Sequence, residues 1–164
     1  MLPVWVVPVV TFGSAILGSM VAFGVQRWRY ITDRLAASID GLCSEINNAA
    51  DKATSYWLTE GDTDTARVLL RLAEYELVGR QSRIQELIGA LYIQDERLVI
   101  ADLDDLIISL IDAMTGGDFR VTGRPYDPFR AAEVQTVAAR LNGCLRAGLS
   151  RHVRGWVQRP FRWR

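Results

Sequence analysis

Histidine, lysine and cysteine are nearly missing from this 164-residue chain, which has one His, one Lys among 19 basic residues, and two Cys. A single histidine excludes histidine-rich metal and proton-relay sites, and two cysteines are too few for a disulfide scaffold. Glycine and proline number only 13 and 5, which excludes collagen-like repeats and low-complexity disorder. There is no phosphate loop, no dinucleotide-type glycine pattern, no nucleophile elbow and no Glu-x-x-His pair. No catalytic, cofactor-binding or metal-ligating residue is therefore assigned, and no enzymatic activity is expected.

The longest absence is of charge. Residues 1–26 carry no charged side chain, although the whole chain balances 19 basic against 19 acidic groups. From Ile31 to Glu133 there are 19 acids against 10 bases, and after Glu133 come seven arginines with no acid. Such segregation points to a membrane surface or a nucleic acid. The acidic middle of the chain would repel phosphate backbones, and no recognition helix is visible, so no nucleic-acid partner is expected.

The uncharged run has the length of a membrane span. Val4 to Gln26 as a helix reaches roughly 34 Å at ~1.5 Å per residue, against a hydrocarbon core of about 30 Å. Eleven residues between Val4 and Val25 are Val, Ile, Leu or Phe. A cleaved signal peptide is the rival reading, with Ala22-Phe23-Gly24 as a small-x-small site. It lacks a basic n-region, and the apolar run is longer than such peptides use. Arg27, Trp28 and Arg29 follow the run directly, whereas the N-terminal side has only the chain amine. The positive-inside bias then places the N-terminus outside and residues 27–164 in the cytoplasm, as a single-pass protein of the cell inner membrane. Ser14, Gly18 and Ala22 recur every four residues, the spacing with which two spans can pack closely.

Beyond the span the rhythm is helical. Ile31, Leu35, Ile39, Leu42, Ile46, Ala49, Ala53 and Tyr56 alternate by threes and fours, as in the seam of a helix packed lengthwise on others. One helix is expected from the membrane to about Leu58, stopped at Gly61, with Asp62 or Thr63 capping the next. The second helix is expected over Asp64–Ile93, with Ala66, Leu70, Ala73, Leu77, Ile84, Leu87 and Leu91 inward. The third is expected over Asp95–Met114, with the widest apolar face (Leu103, Leu106, Ile107, Leu110, Ile111, Met114) and hence the deepest burial. Gly116-Gly117 ends it, and Asp127-Pro128 reads as an N-cap with proline at the first helical position of a fourth helix running to about Trp156. The fold class is all-α, a single N-terminal transmembrane helix continuing into a cytoplasmic antiparallel four-helix bundle. Its divisions are a span (1–28), a bundle (29–157) and a basic-aromatic tail (158–164).

Several charged residues need a reading. Asp102, Asp104, Asp105 and Asp112 are taken as a solvated face rather than a cation site, because metal ligands converge from several elements. Arg80 interrupts the apolar seam of the second helix and either sits at a bundle end or pairs with Asp40 or Glu45. His152 stands among arginines in the sequence and reads as a surface or interfacial side chain rather than a catalyst. Cys43 and Cys144 fall in one layer if the first and fourth helices are antiparallel neighbours, and are expected as buried thiols. Arg151, Arg154, Trp156, Arg159, Phe161, Arg162, Trp163 and Arg164 mix cations with large aromatics, the composition of an anchor at the membrane interface. Together these features imply a membrane-anchored helical interaction or regulatory module, partnered by lipid, by further copies of itself and by an unidentified protein. An exposed apolar patch on the bundle is the feature that would favour this reading. The alternative is a small effector of toxin or phage-defence type, whose spans oligomerise and permeabilise the membrane.

Overall fold

The computed structural model describes residues 6–61, 63–94, 100, 102–121 and 124–158; the side chains of 6–15, 17 and 156–158 are outside the description. Four helices account for nearly all of this: α1 (Val6–Trp57), α2 (Asp64–Gln94), α3 (Leu103–Thr115) and α4 (Pro128–Gln158). No strand occurs among the described residues. The chain divides into two compact units, Met1–Ala36 and Ala37–Arg164.

In the first unit α1 carries a sheath of uncovered apolar side chains, with Ile16, Met20, Val21, Phe23 and Val25 all exposed. Gly18 and Ala22 are exposed too, and a Cβ placed on Gly18 would meet no atom within 4 Å. Among the described residues no helix is long and apolar enough to cross a membrane. The uncharged run ends at Gln26 and extends back past Ile16 into residues whose side chains are outside the description. The expected span over 1–28 thus draws more than half its length from residues 1–15, whose side chains lie outside the described residues.

The second unit is an antiparallel helical bundle, and its register can be followed through cross-helix contacts. Ser38 Oγ donates to Gln94 Oε1 at 2.9 Å, Arg80 Nη1 donates to Glu45 Oε1 at 2.9 Å, and Lys52 Nζ meets Glu76 at 2.7 Å, so rising numbers on α1 face falling numbers on α2. Asn142 Nδ2 donates to Asn47 Oδ1 at 2.7 Å, and Gln135 Nε2 donates to Asp51 Oδ1 at 3.1 Å, which sets α4 antiparallel to α1 on another side. This is the neighbour relation expected from the two cysteines. Neither forms a disulfide; Cys43 is buried, but Cys144 is part exposed, contrary to the expectation of two buried thiols.

The α1 seam holds nearly throughout: Leu35, Ile39, Leu42, Ile46, Ala49, Ala53 and Tyr56 are all at or below 2% exposure, while Ile31 is exposed. Two local signals also hold. Thr63 Oγ1 accepts the Ala66 N–H at 3.1 Å to cap α2, and Asp127 Oδ1 accepts the Arg130 N–H at 2.9 Å to cap α4 ahead of Pro128.

The third helix departs from expectation twice. It begins at Leu103, not Asp95, because Asp102 adopts a left-handed φ of 59° that interrupts a right-handed helix. Nor is it the deepest element. Leu103, Leu110, Ala113 and Met114 are buried, but Leu106, Ile107 and Ile111 are half-covered and Ile108 is exposed. With 13 residues and its main packing against α4, α3 cannot cover a wide apolar face on all sides. At the start of that packing a Cβ on Gly148 would lie 2.7 Å from Ile100 Cγ1, so the absence of a side chain there permits the close approach.

Candidate functional site

Every helix leaves its last four carbonyls without intrahelical partners. At the end of α1 two are satisfied locally and two from far along the chain. Thr54 O accepts from Leu58 N at 3.0 Å and Ser55 O accepts from Thr59 Oγ1 at 2.7 Å, both local. Trp57 O accepts from Asp127 N at 3.1 Å, and Tyr56 O accepts from the guanidinium of Arg124. Arg124 Nη2 also donates to Thr59 O at 3.3 Å. The last turn of α1 holds no basic residue of its own; Arg124 supplies the positive charge that complements the helix dipole there.

Arg124 is the buried charged residue of the core, at 5% exposure. No carboxylate meets it among the described residues. Its charge is instead spread over backbone carbonyls and two aromatic faces, with Cζ 4.0 Å from the Tyr56 ring centroid and 4.8 Å from that of Trp57. Arg130 repeats the device at the end of α3: it donates to Asp112 O at 2.7 Å and Ala113 O at 3.3 Å, with Cζ 5.0 Å from the Trp57 centroid. Gly117, at φ 59°, turns the chain beside it. Trp57 is thus covered by two cations that cap two different helices.

Beside this junction opens a pocket of about 330 Å³ whose lining includes Tyr56, Arg67, Arg71, Glu74, Arg120 and Arg124. Tyr56 Oη donates to Glu74 Oε1 at 3.3 Å and accepts from the Arg120 backbone N–H at 3.1 Å. Arg67 is occupied by Gly61 O and Asp64, each at 3.2 Å. Arg120 holds a left-handed φ of 66°, a strained conformation for a residue with a Cβ.

A second charged cluster ties α1 to α2. Arg80 bridges Glu45 at 2.9 Å and Glu76 at 3.0 Å, and Glu76 also meets Lys52 at 2.7 Å. The Lys52 hydrogen bond is the main force holding the Glu76 carboxyl below its usual range, with Arg80 adding to it against a desolvation penalty. Burial opposes the charge on Arg80, but the two carboxylates more than offset this and raise its pKa. Of the two expected arrangements for Arg80, pairing with Glu45 is the one observed. Burial pushes the Cys43 thiol up, the nearby Arg146 charge opposing it only in part.

The sequence-assigned residues fall elsewhere. Arg27 and Arg29 are exposed and Trp28 half-buried in the first unit, while Arg151 and Arg154 are exposed on α4. Ser14 and Trp156 are helical, with side chains outside the description; Arg159, Phe161, Arg162, Trp163 and Arg164 lie outside the described residues altogether. Asp102, Asp104, Asp105 and Asp112 are all exposed, and no group of three potential metal ligands occurs among the described residues. Arg124, Arg130 and the pocket were not foreseen from sequence, although an arginine beside Pro125 in a polar loop was the available sign.

The fold and this junction define an all-α bundle in which Arg124, just ahead of α4, and Arg130, in the first turn of α4, cap the ends of α1 and α3. No family model, curated protein or solved structure matches the chain.

Proposed function

We propose that the protein is a membrane-anchored helical module, without catalytic activity, that pairs with a second copy of itself. The observation that carries the reading is an exposed apolar stripe on α2. Val68, Leu69, Leu72 and Tyr75 are 67, 59, 64 and 72% exposed, side by side on one helix. Val68, Leu72, Tyr75 and Gly79 are spaced by four, three and four residues, so they share one helix face. A stripe of this kind on a folded unit marks a protein-docking surface. Tethering copies in one plane raises their effective concentration, which makes self-pairing the economical use of such a face.

The anchor is the uncharged run of residues 1–26 followed by Arg27 and Arg29, in the single-pass inner-membrane orientation with the bundle in the cytoplasm. The exposed apolar side chains of α1 from Ile16 to Val25 support it. The basic-aromatic tail adds interfacial contact with anionic lipid.

Fractionation and sizing test both halves. The full chain should resist alkaline extraction from membranes and run as a dimer in mild detergent, whereas Leu72→Asp should run as a monomer with an unchanged melting temperature. Extraction at alkaline pH refutes the anchor. A monomeric parent chain refutes the pairing. Leakage of a vesicle-trapped dye that depends on Gly18 would replace this reading with that of a membrane-permeabilising effector.

A further inference from the structure

We propose that the arginine-lined pocket at the end of α1 binds a small phosphate-bearing molecule. The inference does not rest on membrane anchoring or on pairing through α2. Among the described residues, the lining sets four guanidiniums (Arg67, Arg71, Arg120 and Arg124) against one carboxylate, Glu74. That carboxylate is already engaged by the Tyr56 hydroxyl. Arg67 and Arg124 are fixed by Gly61, Asp64 and the α1 carbonyls, so they contribute a standing positive field and have few free donors. Arg71 and Arg120 are different. Both are exposed, and neither has a carboxylate partner among the described residues. Arg120 rests on the Phe119 ring, with Cζ 5.4 Å from the centroid, a contact that leaves its N–H edge open. Two planar forks not held by carboxylates and facing one cavity suit the tetrahedral oxygens of phosphate, which accept paired N–H bonds.

The volume fits the same class of ligand. About 330 Å³ is at the lower end of pockets for organic ligands, enough for a pyrophosphate or a compact phosphate ester. The strain at Arg120 gives a third reason. A φ of 66° would suit glycine, and the residue held there instead projects a cation at the pocket. Strained backbone of this kind collects at binding sites because the strain is retained for what the side chain does. Arg124 completes the wall as a buried cation with no carboxylate; its Nε has no hydrogen-bond partner among the described residues.

The test is calorimetric titration of pyrophosphate, and separately of ADP, into the full chain in non-ionic detergent. Both should saturate, and the affinity should fall as salt is raised. Arg71→Gln should weaken binding by about tenfold or more, the worth of one charge-assisted pair. Arg120→Gly should weaken it similarly while raising the melting temperature, since glycine relieves the strained φ. Loss of binding in that variant then cannot be ascribed to misfolding. Arg83→Gln, an exposed arginine of α2 outside the pocket, should bind as the parent does. Tighter binding of ADP than of pyrophosphate identifies a nucleotide; equal affinity identifies the phosphate group as the whole determinant. The proposal is overturned if neither probe saturates below about 10 mM, a ceiling weaker than specific sites show. It is also overturned if Arg71→Gln and Arg120→Gly leave the affinity unchanged, or if phosphate is recognised only on phosphatidic-acid vesicles and independently of Arg71.

Discussion

Replacing Arg124 by methionine asks whether a buried cation can hold a helix end without a carboxylate. The substitution keeps an unbranched apolar stem and deletes the guanidinium. Thr59 O and Tyr56 O each lose a donor, although Tyr56 O retains a long 3.3 Å bond from Thr59 N. A buried carbonyl left without a partner costs about 1–3 kcal/mol, and a desolvated cation–aromatic contact about 1–2 kcal/mol. Against these losses, the variant no longer buries the unpartnered Arg124 Nε, which returns about 1–3 kcal/mol. Counting the contacts with both the Tyr56 and the Trp57 ring, the net expectation is a loss of about 3 kcal/mol, or a melting point lower by roughly 6–12 °C for a chain of this size. Arg124→Lys should fall between parent and methionine, since it retains the charge but not the fork that reaches two carbonyls. Urea unfolding in mild detergent, followed by far-ultraviolet circular dichroism, measures both. A methionine variant as stable as the parent would refute capping by Arg124 and mark the guanidinium as a burden the core tolerates.

Truncation of Leu110, at 1% exposure, to alanine should cost about 2–5 kcal/mol, and the same change at half-covered Leu106 clearly less; equal losses in urea unfolding would contradict the α3 packing. The carboxyl of Glu76 has a folded pKa below its ordinary 4.5, so its ionised form adds stability above that pH and loses it as pH falls through the folded value. Melting temperature should accordingly drop less steeply below about pH 4.5 in Glu76→Gln than in the parent. Iodoacetamide should label part-exposed Cys144 in the folded chain and reach buried Cys43 only on unfolding, with mass spectrometry reporting the order.

How much of this was legible in the sequence depends on how local each cause is. The α1 seam from Leu35 to Tyr56, the Thr63 and Asp127 caps, and the Gly116-Gly117 stop rest on neighbours a few residues apart, and spacing alone reveals them. The Arg80–Glu45 pair was legible as one of two options, because a cation interrupting an apolar seam needs an acid on a facing helix. The second helix was harder. It carries two apolar rhythms, one through Ala66, Leu70, Ala73 and Leu77, and another through Val68, Leu72 and Tyr75. Periodicity cannot decide which faces the core, since burial depends on partners elsewhere; in the structure Ala66, Leu70 and Ala73 are only half-covered. The strained Arg120 leaves no composition signal, and the left-handed Asp102 leaves only the weak one that aspartate tolerates that region better than most residues. Arg124 was invisible for a simpler reason: its partners are backbone atoms, and every residue has those.

The donor that closes the end of α1 lies 68 residues downstream of the carbonyl it serves. During synthesis at about 5–20 residues per second, that separation amounts to roughly 3–14 s between the making of Tyr56 and of Arg124. Through that interval Trp57 O and Thr59 O lack the donors that Asp127 and Arg124 later supply, while Tyr56 and Trp57 have no cation to cover them. The nascent helix is therefore incomplete at a point that the finished protein closes with groups from far downstream. Order must run back from the α3–α4 loop to α1, against the direction in which the chain is made.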